Sequence, residues 1–115
     1  MENRIERIDM RSMLEQVTEE CGELVQACMK LIRAMGNGNP TTVSEEEAVD
    51  KLIEEYSDVV VAAGFLLDEL QKSCLYDISA RVSEIGEGKI KRWNERLEEL
   101  DEEDGCCSGD DFCSF

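Results

Sequence analysis

The sequence predicts an all-α fold: an antiparallel helical bundle whose core is completed by homodimerisation or higher assembly. Three observations carry this expectation. Long stretches repeat apolar residues at helical spacing. Aromatic residues make up only 5% of the chain and there is a single proline, Pro40, a composition poor for sandwiches and barrels. The length of 115 residues allows one domain with a modest core, which a second copy would enlarge.

Residues 1–9 suit a short leading helix. The first long helix is expected over residues 10–35, where Met13, Val17, Leu24, Cys28, Leu31 and Met35 repeat at helical spacing. Residues 36–42 (GNGNPTT) then break the pattern. Ser44 followed by Glu47 is a capping-box signature for a second helix over residues 45–71. Its apolar stripe is Val49, Leu52, Ile53, Tyr56, Val59, Val60, Ala63, Leu66, Leu67 and Leu70. A break near residues 73–77 places Asp77 as the N-cap of a third helix over residues 78–100. Gly86 and Gly88 weaken its middle by roughly 1 kcal/mol each, so a kink or late start is expected. The helical domain is read as residues 1–100, followed by an acidic, cysteine-containing, disordered tail over 101–115.

The net charge of −16 excludes a nucleic-acid polymer as partner, because backbone binding needs clustered Lys and Arg. Residues 98–115 hold eight acids and no base, which leaves −8 for residues 1–97. No apolar run approaches the ~20 residues that span a bilayer, and the charged N-terminus lacks a signal-peptide core. The chain therefore reads as cytoplasmic, without a membrane partner. Cys21, Cys28 and Cys74 look like small buried hydrophobes, kept as thiols in a reducing compartment.

Each of the first two long helices contains two acids three residues apart: Glu20 with Glu23, and Glu55 with Asp58. At about 100° per residue each pair shares one helix face. With Glu20 at zero, Glu23 falls at about −60° and Val17, Leu24, Cys28 and Leu31 lie between about +20° and +100°. With Glu55 at zero, Asp58 falls at about −60° and Leu52, Val59 and Leu66 lie between about +20° and +60°. The acids hold the same angle to both stripes, so packing the stripes turns both pairs inward along one edge of the core. Either pair alone reads as solvated surface; the coincidence of two argues for a site. Four ionised carboxylates in one partly buried pocket repel each other and lose hydration. Mg²⁺ relieves that conflict, with Mn²⁺ as a second choice: it is a hard cation that takes oxygen ligands and works alongside substrate phosphates. A triphosphate is the natural third party.

Phosphate also needs positive charge. Lys30 lies two turns beyond Glu23 and Lys51 one turn before Glu55. Lys89, Arg92 and Arg96 share one face of the third helix. Trp93 could stack on a base, and Asn39 could contact substrate from the loop. The bland alternatives are surface bases, a core or interface tryptophan and a turn-shaping asparagine. Cys106, Cys107 and Cys113 cannot close an ordinary zinc site within one chain that has no His, although two chains would supply six thiolates.

These residues resemble the MazG-like branch of the all-α nucleoside triphosphate pyrophosphohydrolases, close to its small phage-type members. The motif of that family, EExxE followed by ExxD, is matched by Glu19, Glu20 and Glu23 and then by Glu55 and Asp58. Its basic element is matched by the run from Lys89 to Arg96 (KIKRWNER). The resemblance covers residues 12–97. It departs in a 31-residue spacer between Glu23 and Glu55, slightly long for the family, and in the Cys-rich tail.

The resemblance implies homodimers or tetramers and Mg²⁺-dependent hydrolysis of nucleoside triphosphates, dNTPs foremost, to monophosphate and pyrophosphate. It implies Glu20, Glu23, Glu55 and Asp58 as metal ligands, Glu19 or one of the ligands as proton acceptor, and a basic face that holds phosphate charge. A di-iron carboxylate bundle would need two His that this chain lacks. The remaining alternative is a non-catalytic helical dimer that binds nucleotide or a protein partner.

Overall fold

The computed structural model describes residues 4–36 and 38–104. They form a 3₁₀ turn over Arg4–Arg7 and three helices: α1, Met10–Ala34; α2, Glu45–Gln71; and α3, Ile78–Asp104. The fold is all-α, with no strand among the described residues. The first of two structural units ends at Leu75 and holds the 3₁₀ turn, α1 and α2; the second begins at Tyr76 and holds α3.

Local chemistry sets the helix ends. The Asp9 carboxylate accepts a 2.7 Å hydrogen bond from the Ser12 N–H and starts α1. Gly36, at φ +91°, stops it in a conformation other side chains reach only under strain. Ser44 Oγ accepts from the Glu47 N–H at 3.1 Å and starts α2, with Glu45, Glu46 and Glu47 placing negative charge at the positive end of the helix dipole. Asp77 accepts from the Ala80 N–H at 3.3 Å at the head of α3. Ser44→Ala should cost about 1 kcal/mol of stability, readable in chemical denaturation.

Two expectations about helix course change. The residues expected to lead with a short helix supply a single 3₁₀ turn. The third helix runs unbroken through Gly86 and Gly88 to Asp104, four residues further than the sequence suggests. Glycine weakens a helix without forbidding it, and Glu102 and Glu103 have good intrinsic helix propensity even though acids at a helix C-terminus oppose its dipole. The rest of the expected tail, with Cys106, Cys107 and Cys113, lies outside the described residues.

Helices α1 and α2 pack against each other. Met13 and Gln16, early in α1, share a cavity with Ala62 and Phe65, late in α2. Glu20 and Glu23, further along α1, meet Glu55 and Asp58, earlier in α2. The two helices therefore run in opposite directions. Their contact buries little: among the described residues only Met13, Ala27 and Ala48 form the apolar core, while Val17, Leu24, Leu31, Leu52, Val59 and Leu66 are half-buried. The thiols expected inside are not all there. Cys21 and Cys28 are exposed and Cys74 is half-buried.

The exposure of Cys21 and Cys28 has a geometric cause. On α1, Leu14, Cys21, Val25, Cys28 and Ile32 lie about 80–140° from Glu20, beyond the stripe that meets α2. On α2, Val49, Ile53, Tyr56, Val60 and Leu67 lie about 100–160° from Glu55. All ten are exposed. Because the helices run oppositely, equal rotations carry both rows to the same side of the pair. One side of this hairpin is thus a broad apolar face, and the opposite edge carries Glu23 and Asp58.

Candidate metal centre

Glu20 and Glu23 project from α1, and Glu55 and Asp58 from α2, so that one carboxylate oxygen of each lies within 4.8 Å of the other three. That spread suits a small dication: ligands on opposite sides of Mg²⁺ stand about 4.2 Å apart, twice the metal–oxygen distance. All four donors are carboxylate oxygens, the ligand type a hard cation prefers. Glu55 is 5% exposed, Glu20 is half-buried, and Glu23 and Asp58 form the open rim.

The inner pair carries the strongest sign of an absent partner. Glu55 Oε1 receives Lys51 Nζ at 2.9 Å, while Glu55 Oε2 is buried with no hydrogen-bond partner. Glu20 repeats the pattern: its Oε1 accepts from Gln16 Nε2 at 2.7 Å and its Oε2 is buried without a partner. Leaving a buried carboxylate oxygen unsatisfied is costly, and a cation would satisfy both oxygens at once. The residues present fit a divalent ion.

The acids do not share their charge equally. The close approach of the Glu55 side chain, reinforced by the charges of Glu20 and Glu55, raises the Glu23 carboxyl above the ordinary glutamate value of 4.5. Desolvation raises Asp58, helped by the charges of Glu20, Glu55 and Glu54. Glu55 moves down, because its hydrogen bond with Lys51 outweighs its burial. Lys51 is raised in turn by that same bond.

These directions fix a pH response. Groups raised in the fold, Glu23 and Asp58, disfavour the folded state while ionised, so metal-free protein should gain stability as pH falls from 7 into their raised range. Glu55 is lowered. Its contribution is full above the ordinary glutamate value and is lost as pH falls through its folded value. Melting of the metal-free chain should therefore rise on mild acidification and fall in stronger acid. Divalent-ion affinity should decline throughout, because protons compete for Glu23 and Asp58. Thermal melts and ion titrations across pH check both.

Other expected site residues are placed as follows. Glu19 stays outside the four-acid group; it is exposed and borders a shallow hollow with Arg11, Leu14, Glu15 and Thr18. Lys30 lies close enough for its charge to favour ionised Glu55. Lys51, expected to reach for phosphate, is paired with Glu55 at 2.9 Å and with Glu54 at 3.5 Å. Asn39 is exposed in the connector between α1 and α2. In the second unit, Lys89, Arg92, Trp93 and Arg96 line one open cavity of about 420 Å³.

Sequence reasoning missed a cavity of about 450 Å³ at the start of α1, walled by Ile5, Ile8, Met13, Ala62 and Phe65, with Arg7, Asp9, Ser12 and Gln16 as polar members. No motif announces it, because its walls come from three separate segments. Gln16 joins it to the acids, since its amide reaches Glu20. No helix among the described residues is long and apolar enough to cross a membrane. Comparison with known proteins finds no matching family model, no matching curated protein and no matching solved structure.

Proposed function

We propose that this protein is a Mg²⁺-dependent nucleoside triphosphate pyrophosphohydrolase that works in the cytoplasm as a homo-oligomer, releasing pyrophosphate and a nucleoside monophosphate. Mn²⁺ would serve in place of Mg²⁺. The observation that carries this reading is the buried, partnerless Oε2 of Glu55, set among three further carboxylates on two helices. The resemblance of Glu19, Glu20, Glu23, Glu55 and Asp58 to the MazG-like motif adds the reaction type.

Each residue then takes a role. Glu20, Glu23, Glu55 and Asp58 hold the ion. When bound, the ion supplies positive charge to the phosphates and acidifies a nearby water. Glu19, outside the ligand set, or one of the four ligands accepts the proton. Lys30 adds positive charge near Glu55. The cavity bounded by Phe65 and Gln16 has the volume and apolar walls of a small-ligand site and would take the nucleoside. Lys89, Arg92 and Arg96 present charge suited to phosphate oxygens, and Trp93 presents a ring suited to stacking.

The apolar side of the hairpin favours the oligomer. Ten exposed side chains in two parallel rows ask for cover, and an identical hairpin offers the same rows. A four-helix antiparallel core shared between two chains is the simplest arrangement. The test is pyrophosphate release from a panel of standard and damaged dNTPs, with Mg²⁺ and with chelator. Metal-dependent release of monophosphate and pyrophosphate is expected. Release of orthophosphate overturns the reading in favour of a different phosphohydrolase, and no turnover with any triphosphate overturns it in favour of a helical dimer that only binds nucleotide or a protein partner.

A further inference from the structure

Gln16 and Lys51 occupy equivalent places, each one turn before the inner acid of its helix. Each donates to that acid's Oε1, Gln16 to Glu20 at 2.7 Å and Lys51 to Glu55 at 2.9 Å. Each leaves the acid's Oε2 buried and without a partner. The two donors differ in one respect: the amide is neutral and the ammonium is not.

We propose that Gln16 and Lys51 tune divalent-ion affinity in opposite directions, Gln16 raising it by orienting Glu20 and Lys51 lowering it as a resident counter-ion on Glu55. This rests on the reading of the four acids as a cation site. A neutral donor on one oxygen fixes the rotamer of a carboxylate and aims its other oxygen without opposing a cation. A cation on the same oxygen also orients the carboxylate, but repels any dication bound to it.

Lys51 has a use when no ion is bound. Glu55 is 5% exposed, and a buried charge with no partner is strongly destabilising. Lys51 supplies that partner from a half-exposed position, with Glu54 at 3.5 Å as a second acceptor as it moves outward. The metal-free fold is thereby preserved, at a cost in affinity, and the ion is bound reversibly. Lys51 is thus a positioning residue whose effect should differ in sign from that of Gln16.

The test is Mn²⁺ binding to the full chain, followed by the electron-spin signal of free Mn²⁺, together with thermal melts with and without the ion. Lys51→Gln keeps a donor and removes the charge; it should bind Mn²⁺ about tenfold more tightly, the scale of effect seen for groups behind metal ligands. Metal-free Lys51→Gln should melt below wild type, with the gap closing at saturating Mn²⁺. Gln16→Leu should bind about tenfold more weakly. Gln16→Lys should also bind more weakly, yet melt higher than wild type when metal-free, and it serves as the measurement if Lys51→Gln does not fold. Equal or weaker binding by Lys51→Gln, or unchanged binding by Gln16→Lys, overturns the proposal while wild-type Mn²⁺ uptake leaves the cation site standing. Failure of wild type to take up Mn²⁺ overturns both.

Discussion

Glu55→Gln is expected to abolish ion binding and pyrophosphate release together while leaving a folded chain. The substitution keeps the shape of the side chain and removes the one acid that is almost wholly buried. Three acids remain, two of them on the open rim, and the deepest donor becomes neutral. Turnover should fall roughly a thousandfold, the scale seen when a group that stabilises developing charge is removed. Asp58→Asn should act in the same direction. Folding should survive with a lowered melt, because glutamine keeps the side chain's shape and relieves the repulsion felt by Glu23 while giving up the ion pair with Lys51. Circular dichroism checks the fold and a Mn²⁺ titration checks the site. Full turnover in both variants would end the four-acid reading; lost turnover with intact ion binding would move these residues from holding the ion to some other part of the reaction.

The second large effect concerns assembly. A chain whose described residues bury only Met13, Ala27 and Ala48 as apolar core has little to hold a monomer together. Ile53 and Val60 sit in the middle of the apolar face and are 58% and 50% exposed. Wild-type protein should sediment as a dimer or tetramer. Ile53→Asp and Val60→Asp should each shift it toward monomer and cost about 2–3 kcal/mol per copy, the worth of burying one large aliphatic side chain. Melting should depend on concentration in wild type and lose that dependence in the variants. A monomeric wild type that melts cooperatively at every concentration would refute the shared core.

Much of this architecture is visible in the residues alone. Ser44 and Asp77 lie where the sequence places helix starts, and the 3.6-residue repeat of Leu52, Val59 and Leu66 marks the side of α2 that meets α1. The juxtaposition of Glu20 and Glu23 with Glu55 and Asp58 follows from the shared angle between acids and apolar stripe. Other features depend on distance through space, which periodicity does not encode. Cys21 and Cys28 carry the pattern of buried thiols because an apolar residue at helical spacing looks the same whether it faces a neighbour in its own chain or a surface left open. Lys51 reads as a phosphate ligand or a surface base, and its 2.9 Å contact with Glu55 depends on side-chain rotamers that spacing does not encode. The cavity against Phe65 draws on residues as far apart as Ile5 and Phe65 and has no local signature.

The two halves of the carboxylate site are the same pattern written twice. Gln16, Glu20 and Glu23 recur as Lys51, Glu55 and Asp58 at a constant offset of 35, and the exposed rows recur with it, Leu14 with Val49, Cys21 with Tyr56 and Val25 with Val60. Two like helices running oppositely are related by a local dyad, and an ion equidistant from both pairs would lie on it. Pseudo-symmetry of this kind lets the two half-sites differ in the donor at Oε1, an amide in one and an ammonium in the other, while both keep the same placement of that donor.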